Sequence, residues 1–262
     1  MGNRSGIVLA MVLVGAFMFV ACGGGDGGVS QAVDVPSVGG SVLGGEAVSY
    51  QTEDGVIIVA EFLEPGNVSE PPIVILLHQF GGSRGQWAGL APALFERGYA
   101  VLAPDLRSFG ASDRAVRDGR QVPYELTNLD EMVLDVAAAL AWLEARSGID
   151  TSRIAVIGAS VGANIAYVSS GAFDAVDTAI AMSPSASTGG SVLLGRDVPD
   201  FSPRSVLFMS DERESGDART LAATVAAPVE TKVYGGATAH GVALLANEQT
   251  VQDIFDWLAE HL

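Results

Sequence analysis

Histidine and cysteine are scarce in this chain, so the search for acid–base and nucleophilic side chains is short: His78, His240, His261 and Cys22. The serine that stands out is Ser160. It lies in Gly158-Ala159-Ser160-Val161-Gly162, preceded by the apolar run Ile154-Ala155-Val156-Ile157 and followed by Ala163-Asn164-Ile165-Ala166. Glycines two positions either side of a serine, between a strand and a helix, permit a strained turn with no room for side chains at those positions. Such a turn lifts Oγ into solvent and aims the first N–H groups of the helix at any anion forming there. In an ordinary strand-to-helix turn the same serine would only cap the helix.

A serine hydroxyl needs a base to become a nucleophile. His261 is the penultimate residue, where a frayed helix end is expected, and His78 ends an apolar run just before Gln79-Phe80-Gly81-Gly82, where it would shape a turn. His240 is the candidate base. It sits in Gly235-Gly236-Ala237-Thr238-Ala239-His240-Gly241, a loop able to carry an imidazole over a serine Oγ. A third group must accept the other imidazole N–H and fix the tautomer. The carboxylates in the right chain order are Asp211, Glu212 and Glu214, on the loop after an apolar run at 206–209.

Positioning these groups requires alternating strands and helices, the pattern of a mostly parallel sheet covered by helices. Strands are expected at Val48–Thr52, Val56–Leu63, Ile73–His78, Ala100–Pro104, Ile154–Gly158, Thr178–Ser183, Val206–Met209 and Glu230–Tyr234. Helices are expected at Gln86–Arg97, Leu129–Arg146, Ser160–Ser170, Asp217–Ala226 and Gln249–His261. In the second helix, Met132, Val133, Val136, Leu140 and Leu143 fall at helical spacing, which leaves Asp130, Glu131, Asp135 and Glu144 for a solvated face.

Four segments together resemble the α/β-hydrolase family: His78-Gln79-Phe80-Gly81-Gly82, Asp105-Leu106-Arg107-Ser108-Phe109-Gly110-Ala111-Ser112, the Ser160 turn, and Ala239-His240-Gly241. The likeness covers roughly residues 48–262 and is of a lid-free, esterase- or dienelactone-hydrolase-like kind. It implies an α/β fold with a mostly parallel eight-stranded sheet, helices on both faces and no large cap domain. It also implies an oxyanion hole from the N–H groups of Phe80 and Val161. Gln79 stands where the family has glycine, and Ser108 replaces a glycine of the family's Asp-x-Arg-Gly-x-Gly turn, whose Asp105 is structural. Aligned on Ser205-Val206-Leu207, the family's acid falls on Glu214, whereas residue type and closeness to the strand favour Asp211.

Composition bounds the rest. Apolar residues make up 48% and charged residues 17%, which excludes disordered and disulfide-stapled classes. Fourteen Lys and Arg, of which only Lys232 is a lysine, stand against 31 Asp and Glu for a net charge of −17, a poor surface for nucleic acid. Residues 7–21 form an apolar stretch after Arg4, too short to span a bilayer, and read as a signal peptide over residues 1–21. Phe19-Val20-Ala21-Cys22 resembles a bacterial lipobox, which implies lipidation of Cys22 and a place in the cell envelope outside the cytoplasmic membrane. Ordinary cleavage and an uncleaved anchor are the alternatives. Residues 22–45 read as a Gly/Ser-rich tether and 46–262 as the folded domain.

The expected chemistry is hydrolysis of small or medium carboxylic esters through an acyl-enzyme, with a catalytically silent binding lipoprotein, a peptidase and a lactonase as rivals. The roughly 20 residues between Ser183 and the apolar run at Val206–Met209 are too few for a helical cap, and the segment from Ser185 to Asp200 is too small and polar to grip a long acyl chain. Trp87 is either a pocket wall or, preferably, packing for the first helix. No metal or organic cofactor is implied, because no histidine pair has ligand spacing and no phosphate-binding glycine fingerprint follows a strand.

Overall fold

The computed structural model describes residues 40–186, 201–236 and 239–262. Its strands are β1 (Glu46–Gln51), β2 (Val56–Leu63), β3 (Pro72–Leu77), β4 (Ala100–Pro104), β5 (Arg114–Arg117), β6 (Arg120–Pro123), β7 (Asp150–Ala159), β8 (Thr178–Met182), β9 (Val206–Asp211) and β10 (Val229–Tyr234). They form one mixed sheet in the order β10-β9-β8-β7-β3-β4-β2-β5-β6, with β1 paired to β2. From β10 to β4 every pairing is parallel, and β2 joins β4 antiparallel. The central strands β4, β8 and β9 are buried along their whole length, which explains their unbroken apolar runs.

Among the described residues the sheet has ten strands, two more than the eight expected. The addition is the β5–β6 hairpin, paired to β2 at Val56↔Ala115 and Ile57↔Arg114. Its turn residues Asp118 and Gly119 both have positive φ, 51° and 72°, the backbone of a two-residue hairpin turn that Asp-Gly favours. The four-residue strands are too short and too rich in arginine to show an apolar period.

Helices α2 (Val133–Glu144), α3 (Val161–Ala172) and α4 (Ser215–Ala222) pack on one face, through Met132, Tyr167, Leu221 and their neighbours. Helices α1 (Ala91–Glu96) and α5 (Glu248–His261) cover the other through Leu94, Ile254 and Leu258. Each such buried side chain contributes about 1.5–3 kcal/mol of transfer free energy. The first expected helix is in fact a 3₁₀ turn, Arg84–Trp87, followed by the shorter α1, and Leu129–Met132 is likewise 3₁₀ ahead of α2. Trp87 is wholly buried in the second core, so it packs the 3₁₀ turn and α1 onto the sheet.

One expectation about charge is corrected. Asp135 does not lie on a solvated face: it is fully buried and accepts both the Arg107 N–H, at 2.8 Å, and Arg107 Nε–H, at 2.7 Å. Arg107 also reaches Asp54 and lies 3.5 Å from Glu131. Burial raises the Asp135 carboxyl to about 6 despite the facing guanidinium. A sequence window cannot show this, because the partners are 28 positions apart. The residues just before Glu46 are also engaged. Glu61, fully buried on β2, accepts the Ser41 hydroxyl at 2.6 Å and the N–H groups of Val42, Leu43 and Gly45 at 2.8 Å. The segment from Ser41 therefore belongs to the fold, since without it a buried carboxylate would lose four donors. The proposed signal peptide, Cys22 and the tether up to residue 39 lie outside the described residues.

Candidate active site

The parallel registers bring the carboxyl ends of β7, β8, β9 and β10 to one edge of the sheet, where sites form in open α/β sheets. Ser160 stands at the first of these ends with φ 53° and ψ −116°, and its N–H donates to Met182 O of β8 at 2.9 Å. The flanking glycines are forced by contact. A Cβ on Gly158 would collide with Gly162 O, and one on Gly162 would collide with Leu77 O of β3. The serine thus holds a backbone strained for a β-carbon because the strand and the helix both crowd the turn.

Ser160, Val161 and Asn164 form one wall of a cavity of about 380 Å³. Ser183 and Pro184 after β8, Glu214 and Asp217 at the start of α4, and His240 complete most of it. His240 Nδ1 lies 2.7 Å from Glu214 Oε1. A carboxylate can only accept, so Nδ1 carries the proton and Nε2 is the open nitrogen. Among the described residues the second Glu214 oxygen, Oε2, is buried without a hydrogen-bond partner. Oγ of Ser160 makes no direct hydrogen bond to the imidazole; the cavity holds both, in an arrangement common for sites without substrate.

The three acid candidates are thereby separated. Glu214 is the carboxylate on the imidazole. Glu212 is exposed, and only its carbonyl is engaged, accepting the Ser215 hydroxyl at 2.9 Å. Asp211, the last residue of β9, is 3% exposed and turns inward: Oδ1 accepts the N–H groups of Arg213 and Glu214 at 2.8 and 3.1 Å, and Oδ2 accepts that of Ala239 at 3.2 Å. Burial pushes its carboxyl up, but the N–H groups of Glu214, Ala239 and Arg213 outweigh this and hold it below the ordinary range.

Phe80 follows β3, and Val161 is the first residue of α3, directly after Ser160. Val161 lines the cavity, whereas the Phe80 side chain is 58% exposed, edge-on to Phe109 at 5.0 Å. Among the described residues neither backbone N–H donates to a protein acceptor. Gln79 crosses to the histidine loop instead, where its Oε1 accepts Val242 N–H at 3.4 Å. The other two histidines are structural. His78 is buried; its Nδ1–H donates to Gln79 O at 2.8 Å and its Nε2 accepts Leu106 N–H at 2.9 Å. His261 is not frayed but stacks on Trp257 at 3.8 Å. Asp105 is structural as expected, accepting the N–H groups of Arg84 and Ala111 and pairing with the Arg84 guanidinium.

Sequence reading passed over Asn164 and Ser183. Asn164 grips the Ser185 backbone from both ends of its amide, at 2.7 and 2.9 Å. Its place four residues after Ser160 puts it on the same helix face, a signal the helical period does carry. Ser183 has φ 55°, and its hydroxyl accepts Gly241 N–H at 2.9 Å. Most of the segment expected to border the pocket, residues 187–200, lies outside the described residues. Among the described residues there is no cluster of metal-ligating side chains, and no helix is long and apolar enough to cross a membrane.

The family model of the alpha/beta hydrolase fold matches residues 72–235, and the chain belongs to that family. An uncharacterized protein of Mycobacterium tuberculosis is 32% identical over 136 residues, which cover 52% of this chain and 44% of that protein. The chain thus spans less than half the length of this sequence relative. Epoxide hydrolase A of the same species is 46% identical over 56 residues, 21% of this chain and 16% of that one. Among solved structures, the Pyrococcus furiosus esterase Pf2001 superposes with a TM-score of 0.65 at 21% identity, covering 82% of this chain and 90% of that one. Dienelactone hydrolase from Anabaena variabilis superposes at 0.63 with 16% identity, covering 83% and 97%. At these identities the structural likeness bears on the fold, which is that of the α/β hydrolases.

Proposed function

We propose that this protein is a serine hydrolase that cleaves small or medium carboxylic esters through Ser160, His240 and Glu214. The observation that carries the reading is the 2.7 Å contact of His240 Nδ1 with Glu214, on the rim of the cavity that also holds the strained Ser160. In the proposed cycle Ser160 Oγ attacks the ester carbonyl while His240 Nε2 takes its proton and then gives it to the leaving alkoxide. Glu214 keeps the tautomer and stabilises the imidazolium. The Phe80 and Val161 N–H groups receive the oxyanion. Water then repeats the sequence on the acyl-enzyme, releasing the acid and restoring Ser160. The reaction needs no cofactor. The cavity of about 380 Å³ between Ser160, Asn164, Ser183 and Asp217 suits a compact acyl group.

The test is labelling of the full-length chain with a fluorophosphonate probe, which reports an activated serine without knowledge of the substrate. Labelling that disappears in Ser160→Ala and His240→Ala is the expected result, and a folded wild type that does not label refutes the reading in favour of a silent binder. Short p-nitrophenyl esters run beside lactone and aminopeptidase substrates then fix the bond. We further propose that residues 1–21 are removed as a signal peptide and that lipidated Cys22 holds the enzyme in the bacterial cell envelope, outside the cytoplasmic membrane. Cys22→Ala releases the protein to the medium if so; an unchanged membrane fraction refutes the anchor.

A further inference from the structure

We propose that Asp211 is a positioning residue for the candidate triad: a single buried carboxylate that ties the acid loop to the histidine loop so that Glu214 and His240 meet. The inference rests on the hydrolase reading above and deepens it. Asp211 Oδ1 accepts the N–H groups of Arg213 and Glu214, which fixes the backbone from which the Glu214 side chain departs. That restraint matters because glutamate has one more rotatable bond than aspartate to immobilise. Oδ2 accepts the N–H of Ala239, the residue before His240, while the Ser183 hydroxyl accepts that of Gly241, the residue after it. His240 is therefore clamped on both sides, after Gly235-Gly236, residues that restrict the backbone least. Three N–H donors use both oxygens of one carboxylate, an arrangement that an amide, with a single acceptor oxygen, cannot reproduce.

The test is a double-mutant cycle on the full-length chain, with kcat and KM for a p-nitrophenyl ester and the fluorophosphonate labelling rate as readouts, corrected for folded fraction by circular dichroism. Asp211→Asn is expected to lower kcat by about 10²-fold, the scale of a 1 Å misplacement, with KM little changed. In the Glu214→Gln background it is expected to cost less than about twofold more, because the carboxylate whose position it sets is already gone. Equal losses in both backgrounds would overturn the proposal in favour of a purely structural carboxylate. Near-wild-type activity of Glu214→Gln with loss only in Asp211→Asn would overturn it by making Asp211 the acid itself. If Asp211→Asn does not fold, Asp211→Ser serves: its hydroxyl still caps the Arg213 and Glu214 N–H groups but is too short to hold Ala239, and the same kcat loss is expected. A wild type that fails to label overturns the hydrolase reading and this proposal together, whereas a wild type that labels beside an unaffected Asp211→Asn overturns the positioning role alone.

Discussion

His78 and His240 both follow strands at the same sheet edge, yet their surroundings differ in every respect. Around His78 the polar groups are closed on themselves: both ring nitrogens are committed to backbone, Asp105 is tied to Arg84, and Arg107 is enclosed by Asp135, Asp54 and Glu131. Around His240 one side is equally ordered, by Glu214, Asp211 and Ser183, and the other is left open to the cavity. Satisfied buried polar groups stiffen a fold. A ring with one nitrogen held and the other facing a cleft is instead poised for proton transfer. The same residue type thus serves as a brace in one region and, in our reading, as a base in the other.

The strongest way to break this contrast is to strike the open region. His240→Ala and Glu214→Gln should each lower kcat by roughly 10⁴-fold or more while leaving the melting temperature nearly unchanged, as checked by ester assay and calorimetry. A large loss of stability in either would show that the open region braces the fold too. In the closed region the order reverses. Asp135→Ala takes from the buried Arg107 guanidinium its one fully buried partner, leaving the partly exposed Asp54 and Glu131, and should cost about 3 kcal/mol in urea denaturation, with activity per folded molecule retained. Gly158→Ala lies between the two regions: its Cβ collides with Gly162 O, so it should cost about 1–3 kcal/mol and also displace Ser160, lowering the labelling rate.

The smallest effect expected is a pH dependence. Burial holds His78 below the ordinary histidine value, so as the pH drops the unfolded chain takes up this proton before the native one does. The contribution of neutral His78 is therefore complete above about pH 6.5 and is lost as the pH falls from there toward the native pKa. Across this range urea melts should show the wild type losing stability toward acid relative to His78→Gln, because the buried Asp135, raised to about 6, contributes equally to both. The same slope in both would remove His78 from the set of braces that titrate.

How much of this was legible beforehand follows the range of each interaction. The serine turn is visible in five residues because its glycines fall at a fixed spacing: Gly158 is forced by the nearby Gly162 O, although Gly162 is forced by Leu77 O of the neighbouring strand β3. The strands at the site edge are visible as buried apolar runs, though their order in the sheet is not, and chain order places Glu214 among the acid candidates. The β5–β6 hairpin was also written locally, in Asp118-Gly119, but its short strands carry no apolar period to draw attention to it.

By itself, then, the sequence determined the class of fold, the strained serine turn and a short list of partners, since glycine sterics and hydrophobic period act between near neighbours. Only the tertiary structure decided which of Asp211, Glu212 and Glu214 meets His240, that Arg107 draws Asp135 out of solvent, and that Glu61 gathers the segment from Ser41. Those outcomes depend on where loops 20 to 30 residues apart in the chain converge. A carboxylate's role is set by which donors reach it, and no local pattern records that.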